Sequence, residues 1–396
     1  MTSELPGSPT ARTVPDARRD GPRRSFYDLF GTLRFEVRGE GGRSTAQFRE
    51  MFRAFETPAP TRPPDVVVER TTEEVDCTSI LGGPTDHYGW TGDAFVVRNG
   101  DEHMRVEPGW DHIWVTPDWE PFYAVYPVEF RLRQRLVEEG RALVHAAGVR
   151  HDGRTTLFPA WRGAGKTNTT FALLREGAEF LADDRLWVGA DGTARGYPLA
   201  VNLHPRNARS FSGVELQYDG LQSRLRASVD QRIQNRFGDG DALVDTALSY
   251  LSSRFVGESV RYLRDVRSLF PRATSVDEAP IDDTVLLATD PNASDVTVER
   301  VSDREMLAAL RAIAYYEWNE RLGEYFHAYD ALVPGGSAVD ELHRVVDAET
   351  RVLQESLDGV GTYRVTLPRA ADWSENDLGR AVVRAVESLG RPTATP

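Results

Sequence analysis

The stretch FPAWRGAGKTNTT, Phe158 to Thr170, holds the only lysine in a chain of 396 residues. Lysine and arginine together number 47, so removing Lys166 leaves 46 arginines. Residues 160–167, AWRGAGKT, match the phosphate-loop pattern G-x-x-x-x-G-K-[ST] everywhere but its first position, where Ala160 replaces glycine. Gly163 and Gly165 let the backbone turn its N–H groups toward an anion without a Cβ in the way. The segment Gly163, Ala164, Gly165, Lys166, Thr167 and Asn168 is therefore expected to cradle the phosphates of ATP. Lys166 would reach the β- and γ-phosphates, Thr167 would place its hydroxyl on Mg2+, and the next helix would point its positive end at the same charge.

The loop also accounts for the solitary lysine. Arginine is a wide planar fork, whereas a phosphate loop wraps a compact ammonium. A drift from lysine to arginine can run across a surface but not through this position. Lys166 is expected to be solvated until a ligand arrives, so that Lys166→Ala would cost little stability.

The surroundings fit. A strand ending at Phe158 precedes the loop, after a turn at Asp152-Gly153, and a helix from Lys166 to Glu176 follows, stopped by Gly177. The next strand, EFLADD, ends in Asp183 and Asp184. Only one helix and one turn separate these from the lysine, so the acidic pair should emerge beside the loop. Phosphoryl transfer needs a carboxylate for metal and a group that orients or deprotonates the acceptor. Asp183 is assigned to the metal, with Thr167, and Asp184 to the proton, although adjacent residues could exchange these parts. His145, in ALVHAAGV, is placed to orient a carboxylate; a histidine on an apolar strand is also commonly a packed core residue.

These segments carry a family resemblance. VHAAGV, RGAGKTNTTFALLREG and FLADDRLWV resemble the HPr kinase/phosphorylase family, whose fold is distantly related to phosphoenolpyruvate carboxykinase. The likeness covers about residues 143–188, with fainter traces in DDTVLLA, VERVSDREMLAAL and YRVTLPR. It implies an α/β fold, an HPr kinase-like P-loop domain with a β-rich N-terminal region and helical insertions. By position it gives Lys166 and Thr167 the phosphate and Mg2+ roles, divides metal binding and base between Asp183 and Asp184, and makes His145 the partner of the base. Family kinases are often oligomers, so it also implies a homo-oligomer. No counterpart of the family's E-I-R-G segment follows the acidic pair. YPLAVNLHPRN and a helical stretch stand there instead, which sets the chain apart from enzymes that phosphorylate HPr. Asn202, His204 and Arg206 would fall on the acceptor side, where ordinary loop polarity explains them equally well.

The expected divisions are a disordered tail at 1–24, a β-rich domain at 25–125, and the loop-bearing domain at 126–396 with helical insertions at about 214–275 and 303–355. Short β-branched runs such as DVVVERT and DAFVVRNG fill the second, interrupted by a helix, TAQFREMFRAFE, whose Phe48, Met51, Phe52 and Phe55 should be core. Another helix is expected from Val128 to Glu139.

A net charge of −14 argues against general nucleic-acid binding. A single cysteine, Cys77, excludes an internal disulfide framework. No apolar run is long enough to span a bilayer, and the N-terminus lacks the apolar centre of a signal peptide, so a cytoplasmic protein without a membrane partner is expected. The leading functional expectation is a Mg-ATP-dependent phosphotransferase acting on a hydroxyl, of a protein serine or a small molecule. The alternative is an ATP-binding regulatory or accessory protein that phosphorylates no acceptor.

Overall fold

Period-two alternation around the loop builds the central sheet. Leu157 turns to one face while Phe158 and Ala160 turn to the other, and on the neighbouring strand Ala146 opposes Ala147 and Val149 in the same way. A strand buried on both faces must be covered twice. The computed structural model, which describes residues 23–59, 62–119, 121–161, 163–197, 201–203, 211, 262–318, 322–368, 373 and 378–390, shows how.

The chain is a mixed α/β protein. The first sheet has nine strands: β1 (Arg24–Leu29), β2 (Leu33–Arg38), β3 (Glu56–Thr57), β4 (Val66–Arg70), β5 (Ser79–Gly82), β6 (Asp86–Trp90), β7 (Phe95–Asn99), β8 (Glu102–Val106) and β9 (His112–Val115), in the spatial order β3-β1-β2-β4-β9-β8-β7-β6-β5. Helix α1 (Arg43–Met51) crosses between the parallel pair β2 and β4. Its Phe48, and Phe52 just past its end, are fully buried against Phe35, Phe55 is buried in the 3-10 turn that follows, and Met51 packs partly buried beside them, as their spacing implies. The expected tail reaches the described residues only at Arg23 and Arg24, and Arg24 opens β1.

Helix α2 runs Pro121–Glu138 and starts ahead of the expected Val128, with Pro127 inside it. Burial of Val125, Tyr126, Val128, Phe130 and Leu132 holds this helix together across the proline. The expected boundary at 125/126 therefore falls within α2.

The central sheet contains β11 (Ala146–His151), β12 (Arg154–Pro159), β13 (Glu179–Ala182), β19 (Asp283–Asp290), β20 (Thr297–Arg300) and β21 (Gly361–Pro368), ordered β13-β11-β12-β19-β21-β20. Strands β12, β19 and β21 are parallel; β11, β13 and β20 run against their neighbours. Helix α3 (Lys166–Arg175) and the C-terminal α8 (Leu378–Glu387) share the core on one face. The other face meets a four-stranded sheet, β10-β14-β15-β18, of Arg141–Val144, Leu186–Gly189, Thr193–Gly196 and Glu278–Pro280. That core also takes in α5 (Asp303–Trp318) and α7 (Ala338–Ser356). Between them in sequence lies α6 (Glu324–Leu332). Strands β16 (Val201–Leu203) and β17 (Tyr262–Arg264) pair, and a short α4 (Val266–Leu269) follows. Most of the insertion expected at 214–275 lies outside the described residues.

The first sheet does not stand apart. Phe30 meets Trp187 edge-on at 5.0 Å, Phe55 meets Tyr197 at 5.2 Å, and Leu143, Trp187 and Tyr197 belong to the same core as the nine-stranded sheet.

Candidate active site

The loop leaves β12 through Ala160, which bridges to Leu287 of the parallel neighbour and is fully buried. Gly163 and Gly165 take φ values of +85° and +104°, in the region that favours glycine, and Gly165 caps α3. The space over Gly165 is closed: a Cβ there would lie 3.0 Å from Cζ2 of Trp373. The helix ends as expected at Gly177, whose N–H donates to the Leu174 carbonyl while the Ala178 N–H donates to that of Leu173. That closure sends the chain straight into β13, so Asp183 and Asp184 come out beside the start of α3.

Lys166 corrects the expectation of a solvated side chain. It is 8% exposed, and its ammonium donates to the Ala160 carbonyl at 2.9 Å and lies 2.8 Å from His145 Nε2. As the first residue of α3, Lys166 sends its long side chain back to Ala160, just past β12, and to His145, at the junction of β10 and β11. With the ammonium donating, Nε2 is the accepting nitrogen and the ring proton sits on Nδ1. That nitrogen faces Asp184, 3.5 Å from Oδ1. His145 stands between β10 and β11, where the chain crosses from the four-stranded sheet to the central one.

Asp183 faces the other way. Its Oδ2 accepts the Thr167 hydroxyl at 3.0 Å, while its buried Oδ1 has no hydrogen-bond partner among the described residues. Burial, and next the charge of Asp184, push its carboxyl up to about 7, against the pull of Thr167 and Lys166. A buried carboxylate oxygen without a donor, next to a hydroxyl, is a hard oxygen set of the kind Mg2+ takes. The residues present therefore fit the cation assigned to Thr167 and Asp183.

The structure thus brings together Lys166, Thr167, His145, Asp183 and Asp184, with Gly163, Ala164, Gly165 and Asn168 along the loop and first turn. His204 and Arg206 lie outside the described residues, as does the side chain of Asn202. Two site residues were not expected. Arg185 donates Nη1 to Asp184 Oδ2 at 3.0 Å and presents Nε to Glu129 Oε1 at 3.2 Å. The available signal was a charge inside an apolar helical face: Val125, Glu129, Arg133 and Leu136 recur at helical spacing, and all four are buried. Arg133 pairs with Glu349 of α7, Nε to Oε1 at 2.7 Å, with both groups buried.

Among the described residues one other group, His151, Asp152 and Glu387, brings three ligand atoms within 4.8 Å of one another. It lies at the opposite end of β11 from His145, about 20 Å away at strand rise. No helix among the described residues is long and apolar enough to cross a membrane. Comparison with known proteins adds no relative: no family model matches the chain, and no curated protein matches it significantly.

Proposed function

We propose that the chain is a Mg-ATP-dependent phosphotransferase that transfers the γ-phosphoryl group to a hydroxyl, of HPr kinase-like type. The observation that supports it best is the relay Lys166–His145–Asp184, at 2.8 and 3.5 Å. One imidazole joins the lysine of the phosphate loop to a carboxylate whose side chain is 46% exposed. A protein that only bound nucleotide would need the lysine but not an oriented, accessible proton acceptor.

In this reading the loop N–H groups and Lys166 hold the triphosphate, and Thr167 and Asp183 would hold Mg2+, which would supply charge neutralisation of the phosphates. Asp184 accepts the proton as the acceptor oxygen bonds to the γ-phosphorus and the bond to the β–γ bridging oxygen breaks, releasing ADP. His145 turns Nδ1 toward Asp184, 3.5 Å from Oδ1, where it can steady the carboxylate as it takes up the proton. The acceptor is a protein serine or a small molecule. The alternative, an ATP-binding regulatory protein, is favoured by Ala160 at the first loop position.

Radiolabelled ATP with Mg2+ and a fractionated cell lysate separates the two. Label moved to a protein or small molecule by the native chain, and lost in Asp184→Asn with ATP still bound, is the expected result. ATP bound with neither hydrolysis nor transfer would favour the regulatory reading.

A further inference from the structure

Glu129 is 1% exposed, in a helix facing the core. A carboxylate there destabilises the fold unless a cation meets it. Arg185 supplies that cation, with Nε 3.2 Å from Glu129 Oε1, and the same guanidinium gives Nη1 to Asp184 Oδ2 at 3.0 Å. One rigid fork therefore spans two carboxylates, one inside the protein and one at the reacting surface. Held by Asp184 alone, the guanidinium would form a half-exposed ion pair, which orders little. Beside Glu129, with only 11% of its own side chain exposed, it is far more confined than a surface arginine, and Asp184 turns toward it. The other Asp184 oxygen lies 3.5 Å from His145 Nδ1, so the carboxylate sits between the guanidinium and the imidazole.

We infer that Glu129 is a positioning residue: acting through Arg185, it makes α2 set the orientation of the Asp184 carboxylate. The geometric claim concerns the side chains alone; its effect on turnover rests on the phosphotransferase reading above.

Two measurements on the full chain test it. The first needs no activity. In protein carrying isotope-labelled histidine, one of the 8 histidine ring signals is assigned to His145 by its loss in His145→Gln. Glu129→Gln should move the His145 Nδ1 signal in the same sense as Asp184→Asn does and leave the other histidines in place. An unmoved signal overturns the proposal. Should Glu129→Gln fail to fold, Glu129→Asp, which keeps the charge on a shorter stem, and Arg185→Lys, which keeps the charge without the fork, are read by the same signal with the same expectation.

The second measurement is phosphoryl transfer. Glu129→Gln should lower kcat by about 10- to 100-fold, the scale of a misplaced catalytic group, while KM for ATP stays within about twofold. Glu129→Asp should recover part of the loss, and Glu129→Gln should add nothing in an Asp184→Asn background. Multiplicative losses, or a KM that rises with the fall in kcat, overturn the proposal. A native chain that transfers nothing would refute the phosphotransferase reading and leave the His145 signal to decide the positioning claim.

Discussion

Replacing Gly165 with alanine introduces two separable costs. The residue sits at φ +104°, and its Cβ would stand 3.0 Å from Trp373 Cζ2 and 3.4 Å from Leu367 Cδ1. Gly163, two positions earlier, has φ +85° and nothing within 4 Å of its would-be Cβ. Both variants bear the left-handed backbone strain, about 1–2 kcal/mol, offset by about 0.4–1 kcal/mol from a stiffer unfolded chain. Only Gly165→Ala must also displace a buried indole, an overpacking cost of about 1–3 kcal/mol. Gly163→Ala should therefore lose about 1 kcal/mol and Gly165→Ala about 2–4 kcal/mol. Urea unfolding followed by far-UV circular dichroism, compared at equal m, gives the difference directly. If the two variants agreed within about 0.5 kcal/mol, less than the overpacking cost, Trp373 would not close over the loop and the account of the α3 start would be wrong.

Lys166→Arg should lose ATP binding by calorimetry as Lys166→Ala does, since a guanidinium does not fit the slot between the Ala160 carbonyl and His145; normal binding would refute the explanation of the single lysine. Asp184→Asn should keep nucleotide binding while transfer falls by about 10²–10⁴, the usual range for a general base, and His145→Ala should act less strongly and add little in the double variant. Independent, multiplicative losses in single-turnover assays would make His145 an ordinary core residue. Arg133→Met strands the Glu349 carboxylate and should cost about 3–5 kcal/mol in urea unfolding, most of it recovered by adding Glu349→Leu. His103 is 2% exposed and its imidazole is held below the usual value by burial and then by the charge of Arg98. The unfolded chain then binds the proton first, so stability is full above about pH 6.5 and falls as the pH drops below it, by up to about 1.4 kcal/mol per unit; His103→Leu should flatten that slope.

The loop, its helix, the acidic pair and His145 were legible because each is a local pattern: a glycine turn, a capped helix, a strand end. Their convergence followed from the short path between Lys166 and Asp183. The spacing of Glu129 in the apolar face of α2 marks it as a buried charge, but its partner Arg185 is not legible, because the contact joins α2 to the turn between β13 and β14. Trp373 over Gly165 is long-range in the same way. The start of α2 was missed because proline usually marks a helix boundary, whereas here burial of Val125 and Tyr126 outweighs Pro127. Strands β5 and β6 carry too little alternation to announce themselves; β5 is exposed along its whole length. The depth of Lys166 was misjudged because its hydrogen-bond partners, the carbonyl of Ala160 and the ring of His145, lie on preceding segments that fold beneath it.

That buried lysine is also a chemical singularity. Amine-directed reagents have one side-chain target in the whole chain, at the atom expected to meet the triphosphate. Reductive methylation with isotope-enriched formaldehyde would write a single side-chain resonance there, with no engineered cysteine and no assignment problem. Because the ammonium is tucked under the loop, its labelling rate would count how often that loop opens, and protection by nucleotide would be read from one peak.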